Sequence, residues 1–413
     1  MKFKIGILFG GSSREREVSF AGGRTVYDNL DKNIFEAVPI FIDSFGNFIL
    51  LNWEFIYKGS IRDFYPPVEW LPFSPNQFQI YAESLGEISQ AEQLKLIRKT
   101  GTRVEPQALT ELIDFAFLCL HGTDGEDGRI QGLLEYYRIP YSGSGILPSA
   151  IGMNKALQRK LMIAGGFAAP NYEVITREEW FAEKEKSKIA GRVFKTTGQT
   201  LVIKPANQGS SLGVSALKNP DISTFEKAVN LAFFSVKISR NEWNKMPHER
   251  QIAFVRQLCD LREGIGRPVH IENKIIAHPE ELFSVIRQLF SELEEEIIIE
   301  ACDGESEVLA ESFIAGKEFS CIVIENENGD PVALPPTEII KPGRFYDYRA
   351  KYLPGQSRKI TPINLPAEQI QEIRKECEKL FRYFNINEYA RNDRYITPSG
   401  KILLNDPNTT SGM

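Results

Sequence analysis

Lys4-Ile-Gly-Ile-Leu-Phe-Gly-Gly-Ser-Ser-Arg-Glu15 decides the fold class. An apolar run meets two glycines and two serines, and a stretch with helical spacing follows from Arg14 to Leu30. The chain therefore opens as strand, glycine turn and helix, the start of an α/β unit. Working outward, Phe35 to Ile42 and Phe48 to Leu51 read as further strands, and Phe115 to Leu120 as a buried strand ending at His121-Gly122. Residues 52–110 are rich in Trp, Tyr, Phe and Pro without a steady period and read as an elaboration of this first unit, 1–146. Gly143-Ser-Gly145 and Pro148 mark a boundary, because a helix pattern restarts at Ala150 and runs through Met153, Leu157 and Leu161. The second unit, 147–310, carries the strand Leu201 to Lys204, the loop Pro205 to Gly213, and a charged region near 225–300 whose spacing predicts a helical insert. The acidic run Glu292 to Glu296 reads as a solvated helix face. A third unit, 311–413, returns to alternation and closes in a hairpin from Tyr389 to Asn408.

With 413 residues the chain has room for two to four domains, and 49 Lys+Arg against 55 Asp+Glu leave a net charge of −6. No basic excess points to nucleic acid. Apolar runs such as Phe115 to Leu120 fall far short of the ~20 residues of a membrane helix, and the first residues lead into no signal-peptide core, so a cytoplasmic protein is expected. Cys119, Cys259, Cys302, Cys321 and Cys377 are scattered and odd in number, which predicts reduced, packed thiols rather than disulfides or a thiolate metal site. The four histidines match no metal-binding spacing, so any metal should have oxygen ligands.

The hairpin is the most informative chemistry. Thr397-Pro-Ser-Gly400 is a turn signal between strand-like runs, Tyr389 to Ile396 and Lys401 to Asp406. A turn centred on Ser399 and Gly400 sets Asp393 opposite Asp406 and Arg391 opposite Asn408, all on one sheet face. Two opposed carboxylates repel unless a cation lies between them, and with an amide oxygen, phosphate oxygens and water they suit Mg²⁺. The alternative is an edge hairpin whose acids merely keep it soluble. Next, Ile203-Lys-Pro205 leads into Gly209-Ser-Ser-Leu-Gly213, a small-residue loop able to aim backbone N–H groups at an anion, although no Walker A pattern occurs. The opening Gly10-Gly11 lacks the dinucleotide spacing, and Ser12 with Glu15 fits a helix capping box. The loop His121 to Gly128 fails the EF-hand pattern, since Gly128 and Arg129 fall where a ligand and a glycine are needed.

In order along the chain, Leu8 to Ser19, Leu120 to Gly128, Gln131 to Glu135, Pro140 to Gly145, Met153 to Lys155 and Ile203 to Pro205 resemble motifs of the D-alanine:D-alanine ligase family of ATP-grasp enzymes. Gly209 to Gly213, Glu311 to Glu318, Phe345 to Tyr352 and Arg391 to Asn408 continue the match, whereas 52–110 and 225–300 contribute little. The resemblance implies an α/β (α+β ATP-grasp) fold, with an N-terminal α/β domain followed by two ATP-grasp subdomains. It implies ATP-dependent joining of two D-alanines through an acyl phosphate for peptidoglycan precursors, with Mg²⁺, replaceable by Mn²⁺, and a homodimer as the common assembly. By the same resemblance Lys155 and Lys204 hold ATP phosphates, Ser210 and Ser211 lie in the loop closing over them, Glu311, Phe313 and Ile314 line the adenine, and Glu318 takes the ribose. Asp393, Asp406 and Asn408 match the metal ligands. Glu15 matches the acid that holds the first D-alanine's ammonium, His121 a neighbour in that subsite, Tyr352 and Ser210 its hydrogen-bonding partners, and Lys351 the covering loop. Arg391 and the Gly412 N–H match the oxyanion-stabilising groups.

Two departures stand out. Asp406-Pro-Asn408 replaces the usual Glu-x-Asn, so the carboxylate reaches one methylene less far. Thr409 to Met413 arrive where relatives continue into a serine-leucine pair for the second D-alanine, so the third unit reads as truncated. An ATP-grasp ligase with another acceptor, or a nucleotide-binding relative without turnover, remain the alternatives.

Overall fold

β1 (Phe3–Gly10) is buried from Ile5 to Gly10 because both of its faces are covered. The computed structural model describes residues 2–292, 294–340 and 358–409. β1 pairs in parallel with β2 (Phe35–Ile42) and β5 (Phe115–Leu118), while β3 (Phe48–Leu51) and β4 (Gly101–Val104) extend the sheet antiparallel in the order β4-β3-β2-β1-β5. On one face Phe9 and Phe41 meet Phe20 and Val26 of the helix Arg16–Asn29. On the other, Leu8 and Ile40 meet Leu109, Ile130 and Leu134. Continuous apolar strands are what such two-sided cover requires. Gly10 ends β1 at φ +97°, and a Cβ there would stand 2.4 Å from the Ile42 carbonyl oxygen, so the turn into the helix needs glycine. Residues 53–85 form four short 3₁₀ turns, which explains their lack of period.

The central unit pairs β6 (Tyr172–Thr176), β7 (Thr200–Pro205) and β8 (Ser215–Lys218) with a returning strand. Between them and that return lies the insert. The helical character expected near 225–300 holds for the end of Ile222–Ala232 and for Arg240–Lys245, His248–Leu258 and Pro279–Ser291. β9 (Ser235–Ser239), β10 (Val269–Ile271), β11 (Lys274–Ile276) and β12 (Glu296–Ala301) form an antiparallel sheet in the order β11-β10-β12-β9. β10 and β11, at three residues each, are too short for alternation to show, and the three consecutive isoleucines of β12 hide it. The insert has its own core, including Trp243, Val255, Phe283, Ile286 and Ile299. The acidic run is no helix face either: the helix stops at Ser291, Glu294 and Glu295 are exposed, and Glu296 starts β12. β13 (Glu307–Ser312) then completes the central sheet, β6-β13-β7-β8.

The third unit contains β14 (Lys317–Glu325), β15 (Pro331–Ala333), β16 (Thr337–Ile340), β17 (Arg358–Ile360), β18 (Tyr389–Ile396) and β19 (Ile402–Asn408), with β18 between β14 and β19. Ile373, Cys377, Leu380 and Phe381 recur at helical spacing along Ala367–Tyr383 and pack on this sheet. Ile151 and Met162, from the helices Ile146–Met153 and Lys155–Ala164, enter the same core. The single helix expected from Ala150 to Leu161 is thus two, broken at Asn154, whose side chain caps the second. Cys119, Cys259, Cys321 and Cys377 are buried, and Cys302 is exposed against expectation. Among the described residues no helix is long and apolar enough to cross a membrane.

Candidate functional site

Glu15 stands at the N-terminal boundary of the helix Arg16–Asn29 and is buried, with 4% exposure. The capping box expected from Ser12 and Glu15 does not form: Ser12 Oγ donates to Asp124 Oδ2 at 2.7 Å, and no side chain caps the helix. The tertiary partner wins, and the Glu15 carboxylate turns to the central unit, where Ser210 Oγ donates to Oε1. Gly209 lies so close that a Cβ there would be 2.5 Å from Glu15 Oε2. Ser210 and Ser211 hold φ of 48° and 60°, a left-handed conformation that costs roughly 1–2 kcal/mol per non-glycine residue. The β7–β8 loop is therefore bent against preference to lay its backbone on Glu15. Its base is fixed by Lys155 Nζ donating to the Gln208 carbonyl at 2.7 Å and by Asn207 and Gln208 side chains donating to Glu305, each at 3.0 Å.

His121, 8% exposed, lies beside this contact with Nδ1 3.8 Å from Glu126 Oε1. Burial disfavours the charged imidazole, but Glu126 and then Glu15 outweigh it and raise the pKa above 6.5. The protonated form is thus favoured by folding, so its stabilisation is fully present below pH 6.5 and is lost as pH rises through the folded value. Urea titrations should show His121→Gln losing more stability relative to the unsubstituted chain at pH 6 than at pH 9. An equal loss at both would show that the imidazole is neutral in the fold.

A second cluster forms where β7, β13 and the β18–β19 hairpin meet. Lys204 Nζ lies 2.7 Å from Glu311 Oε2 and 3.6 Å from Asp406 Oδ1, and Arg159 Nη2 lies 2.5 Å from Glu311 Oε1. Lys204, Glu311 and Arg159 are all buried. Burial alone would push the Glu311 carboxyl up, but Arg159 and then Lys204 hold it below the usual carboxylate range. Arg391 clamps Asp393 with Nε–Oδ1 and Nη2–Oδ2 contacts of 3.2 Å each, and Asn408 Nδ2 donates to Asp393 Oδ2 at 3.2 Å. Arg391 pairs with Asn408 and Asp393 with Asp406, as expected for these four residues. Nearer the turn the register differs: Arg394 pairs with Leu404 and Ile396 with Ile402, and an irregularity between Asp393 and Arg394 restores the expected pairing beyond it. Gly400, at φ +83°, closes a three-residue turn centred on Ser399, between Thr397 and Lys401, in place of the two-residue turn centred on Ser399 and Gly400, and the bulge compensates by one residue.

Phe313 and Ile314 are half-buried in the link from β13 to β14, where the Phe313 N–H donates to the Thr200 carbonyl at 3.0 Å. Glu318 on β14 pairs across to Tyr395 and accepts its hydroxyl, and burial and then Glu318 raise the Tyr395 pKa. The structure thus brings Lys204, Glu311, Asp393, Asp406, Asn408 and Arg391 into one cluster and Glu15, Ser210 and His121 into another. Lys155 instead holds the loop base. Lys351, Tyr352 and Gly412 lie outside the described residues. Arg159 and Tyr395 escaped sequence reading, though each carried a signal. Arg159 is one helical turn past Lys155, and Tyr395 shares the strand parity of Asp393. Among the described residues no three His, Cys, Asp or Glu side chains gather as a metal cage. The donor set at the hairpin is two carboxylates and one amide. Turned end for end, the Asn408 amide offers Oδ1, and three hard oxygen donors that leave room for phosphate oxygens and water fit Mg²⁺.

Residues 4–144 match the family model for the D-ala D-ala ligase N-terminus, and residues 161–238 and 286–413 match the model for its C-terminus. The chain is 28% identical over 412 residues to the D-alanine–D-alanine ligase of Geobacillus thermodenitrificans, covering 100% of this chain and 88% of that one. The D-alanine–D-alanine ligase of Caldicellulosiruptor bescii is also 28% identical, with 100% and 87% covered. Among solved structures, the D-alanine–D-alanine ligase of Coxiella burnetii superposes with a TM-score of 0.60 at 21% identity, covering 100% of this chain and 85% of that one. The D-Ala:D-Ser ligase VanG of Enterococcus faecalis gives 0.59 at 22%, covering 100% and 91%. Both show the same fold.

Proposed function

Because the chain belongs to the D-alanine–D-alanine ligase family, we propose that its two clusters divide one reaction between them, the ATP-dependent joining of two D-alanines for peptidoglycan precursors. In that reaction the first D-alanine's carboxylate takes the γ-phosphoryl group of ATP, releasing ADP, and the second D-alanine's amine then attacks the acyl phosphate and expels phosphate. The observation that carries the division is the Ser210–Glu15 contact, which sets an ammonium-binding acid from the first unit on the loop that leads back to Lys204. Glu15 holds the first D-alanine's ammonium, with His121 beside it in the same subsite. Lys204 and Arg159 face the phosphates, with Glu311 keeping both side chains aligned before ATP arrives. Preorganised cations avoid a reorganisation cost when charge moves from phosphate to carboxylate. Arg391 stabilises the oxyanion that develops on amine attack.

Asp393, Asp406 and Asn408 would hold Mg²⁺, which when bound neutralises phosphate charge and orients the γ-phosphoryl group. The shorter Asp406 carboxylate is carried on a strand stiffened by Pro407, opposite Asp393. Asp393→Asn should raise the Mg²⁺ concentration for half-maximal ADP release by about tenfold or more, since a carboxylate ligand is lost. It should also loosen Arg391. Unchanged metal dependence would return the hairpin to an ordinary acidic edge. The overall proposal is tested by incubating the chain with ATP, Mg²⁺ and D-alanine and quantifying ADP and dipeptide together by mass spectrometry. Matched amounts support it; ADP without dipeptide, or neither product, counts against it.

A further inference from the structure

The insert between β9 and β12 falls largely outside the family model, which omits 239–285, yet it makes a polar joint to the first unit. Glu280 accepts from Ser74 Oγ at 2.7 Å, the Asn76 N–H at 2.9 Å and Asn76 Nδ2 at 2.6 Å. These bonds outweigh burial and hold the Glu280 carboxyl below its usual range. Phe78, two residues on, enters the insert's own core. Arg267, 5% exposed, donates from Nη1 to Ser84 Oγ at 2.6 Å and lies 5.6 Å from the centre of the Tyr81 ring. Residues 74–84 are therefore a strap of the first unit sewn onto the insert.

The strap leads back to the site. Glu83, next to Ser84, takes Arg16 Nη1 at 2.7 Å, and Arg16 directly follows Glu15. On the other side of Glu15, the Arg14 guanidinium lies 3.9 Å over the Phe234 ring, and Nη2 is 2.6 Å from Asp303 Oδ1. Phe234 immediately precedes β9, and Asp303 follows β12 by two residues. Both neighbours of Glu15 are thus buried arginines, one anchored at the root of the insert and the other through the strap on the insert's far side.

We propose that the insert is a positioning device for the first amino-acid subsite: through Arg14 at its root and through Arg267, Ser84, Glu83 and Arg16 along the strap, it holds Glu15 against the β7–β8 loop before substrate binds. This rests on the proposed role of Glu15. Arg267 and Asn76 are positioning residues, since neither touches Glu15. A fixed Glu15 spares the substrate the cost of docking two units, and a displacement of about 1 Å from productive geometry can cost up to 100-fold.

The test uses Arg267→Met, with Arg267→Lys as the conservative rescue and Asn76→Ala as a milder variant at the strap's half-exposed edge. Arg267→Met should raise KM for D-alanine at the first site by about tenfold, leave the calorimetric Kd for ATP within about twofold, and speed amide hydrogen exchange at residues 209–213. Arg267→Lys should recover part of each change, and Asn76→Ala should move both readouts in the same direction by less. If Arg267→Met does not fold, the Asn76→Ala result decides. A folded variant with unchanged KM and exchange, or with the ATP Kd rising in step with KM, overturns the proposal. If the unsubstituted chain makes no dipeptide, it is the ligase reading that fails, and exchange at 209–213 still decides whether the clamp exists.

Discussion

Lys204→Ala is expected to lower kcat/KM for ATP on the order of 10³-fold, the largest single effect at this site. Lys204 Nζ serves Glu311 at 2.7 Å and Asp406 at 3.6 Å from a buried position. Removing it leaves Glu311 leaning on Arg159 and takes from Asp406 the ammonium 3.6 Å away, while Asp393 keeps Arg391. Truncating one partner of a buried charge pair between protein and ligand costs about 2–5 kcal/mol, and each 1.36 kcal/mol is tenfold in rate. The incoming phosphates lose the same charge, so the defect should appear in both ATP affinity and turnover. Lys155→Ala is the informative contrast: it removes one bond to the Gln208 carbonyl, worth about 1.5–3 kcal/mol as a charge-assisted hydrogen bond, and should cost no more than about tenfold to a hundredfold. Steady-state kinetics with ATP varied, alongside a thermal melt of each variant, make the comparison. A larger defect in Lys155→Ala than in Lys204→Ala would reverse the division of labour between the two lysines.

Glu15→Gln is the second large effect. Glutamine preserves shape and can still accept from Ser210 Oγ, but it removes the charge meant for an ammonium. Truncating one side of a buried charged pair costs about 2–5 kcal/mol. The kcat/KM for the first D-alanine should therefore fall about 10²–10³-fold while ATP binding changes by less than about threefold. Glu15 also helps raise the His121 pKa, so the imidazole should titrate lower in the variant, a change visible by NMR without turnover. Equal losses for ATP and D-alanine would merge the two clusters into one.

The same residues show where sequence reading succeeds and where it stops. β1, the glycine turn and the following helix were legible because apolar spacing and local backbone preference point the same way. Asp393 opposite Asp406 was legible because strand parity is local. The turn differs from the expected one by one residue, and the pairing at the carboxylates holds only through a bulge. The capping box failed because Ser12 found Asp124, 112 residues away, a competitor that no local pattern displays. Arg159 shows no local sign of burial, since a cation on an amphipathic helix usually faces water, and only the convergence of the helix Lys155–Ala164 with β7 and β13 buries it against Glu311.

Local spacing was enough to fix the α/β opening, the lysine and small-residue loop after β7, and the carboxylate hairpin. Each depends on spacing within a few residues, and the period of a strand or helix fixes which side chains share a face. The tertiary structure alone decided that Ser210 meets Glu15, that Arg159 joins Lys204 at Glu311, and that the insert folds on its own core and holds the strap. Those contacts join residues about 100 to 200 positions apart, from Lys204–Glu311 to Ser210–Glu15 and Ser74–Glu280. They exist because burying a charge is costly unless a partner is buried with it, and which partner arrives is set by how whole sheets and helices pack.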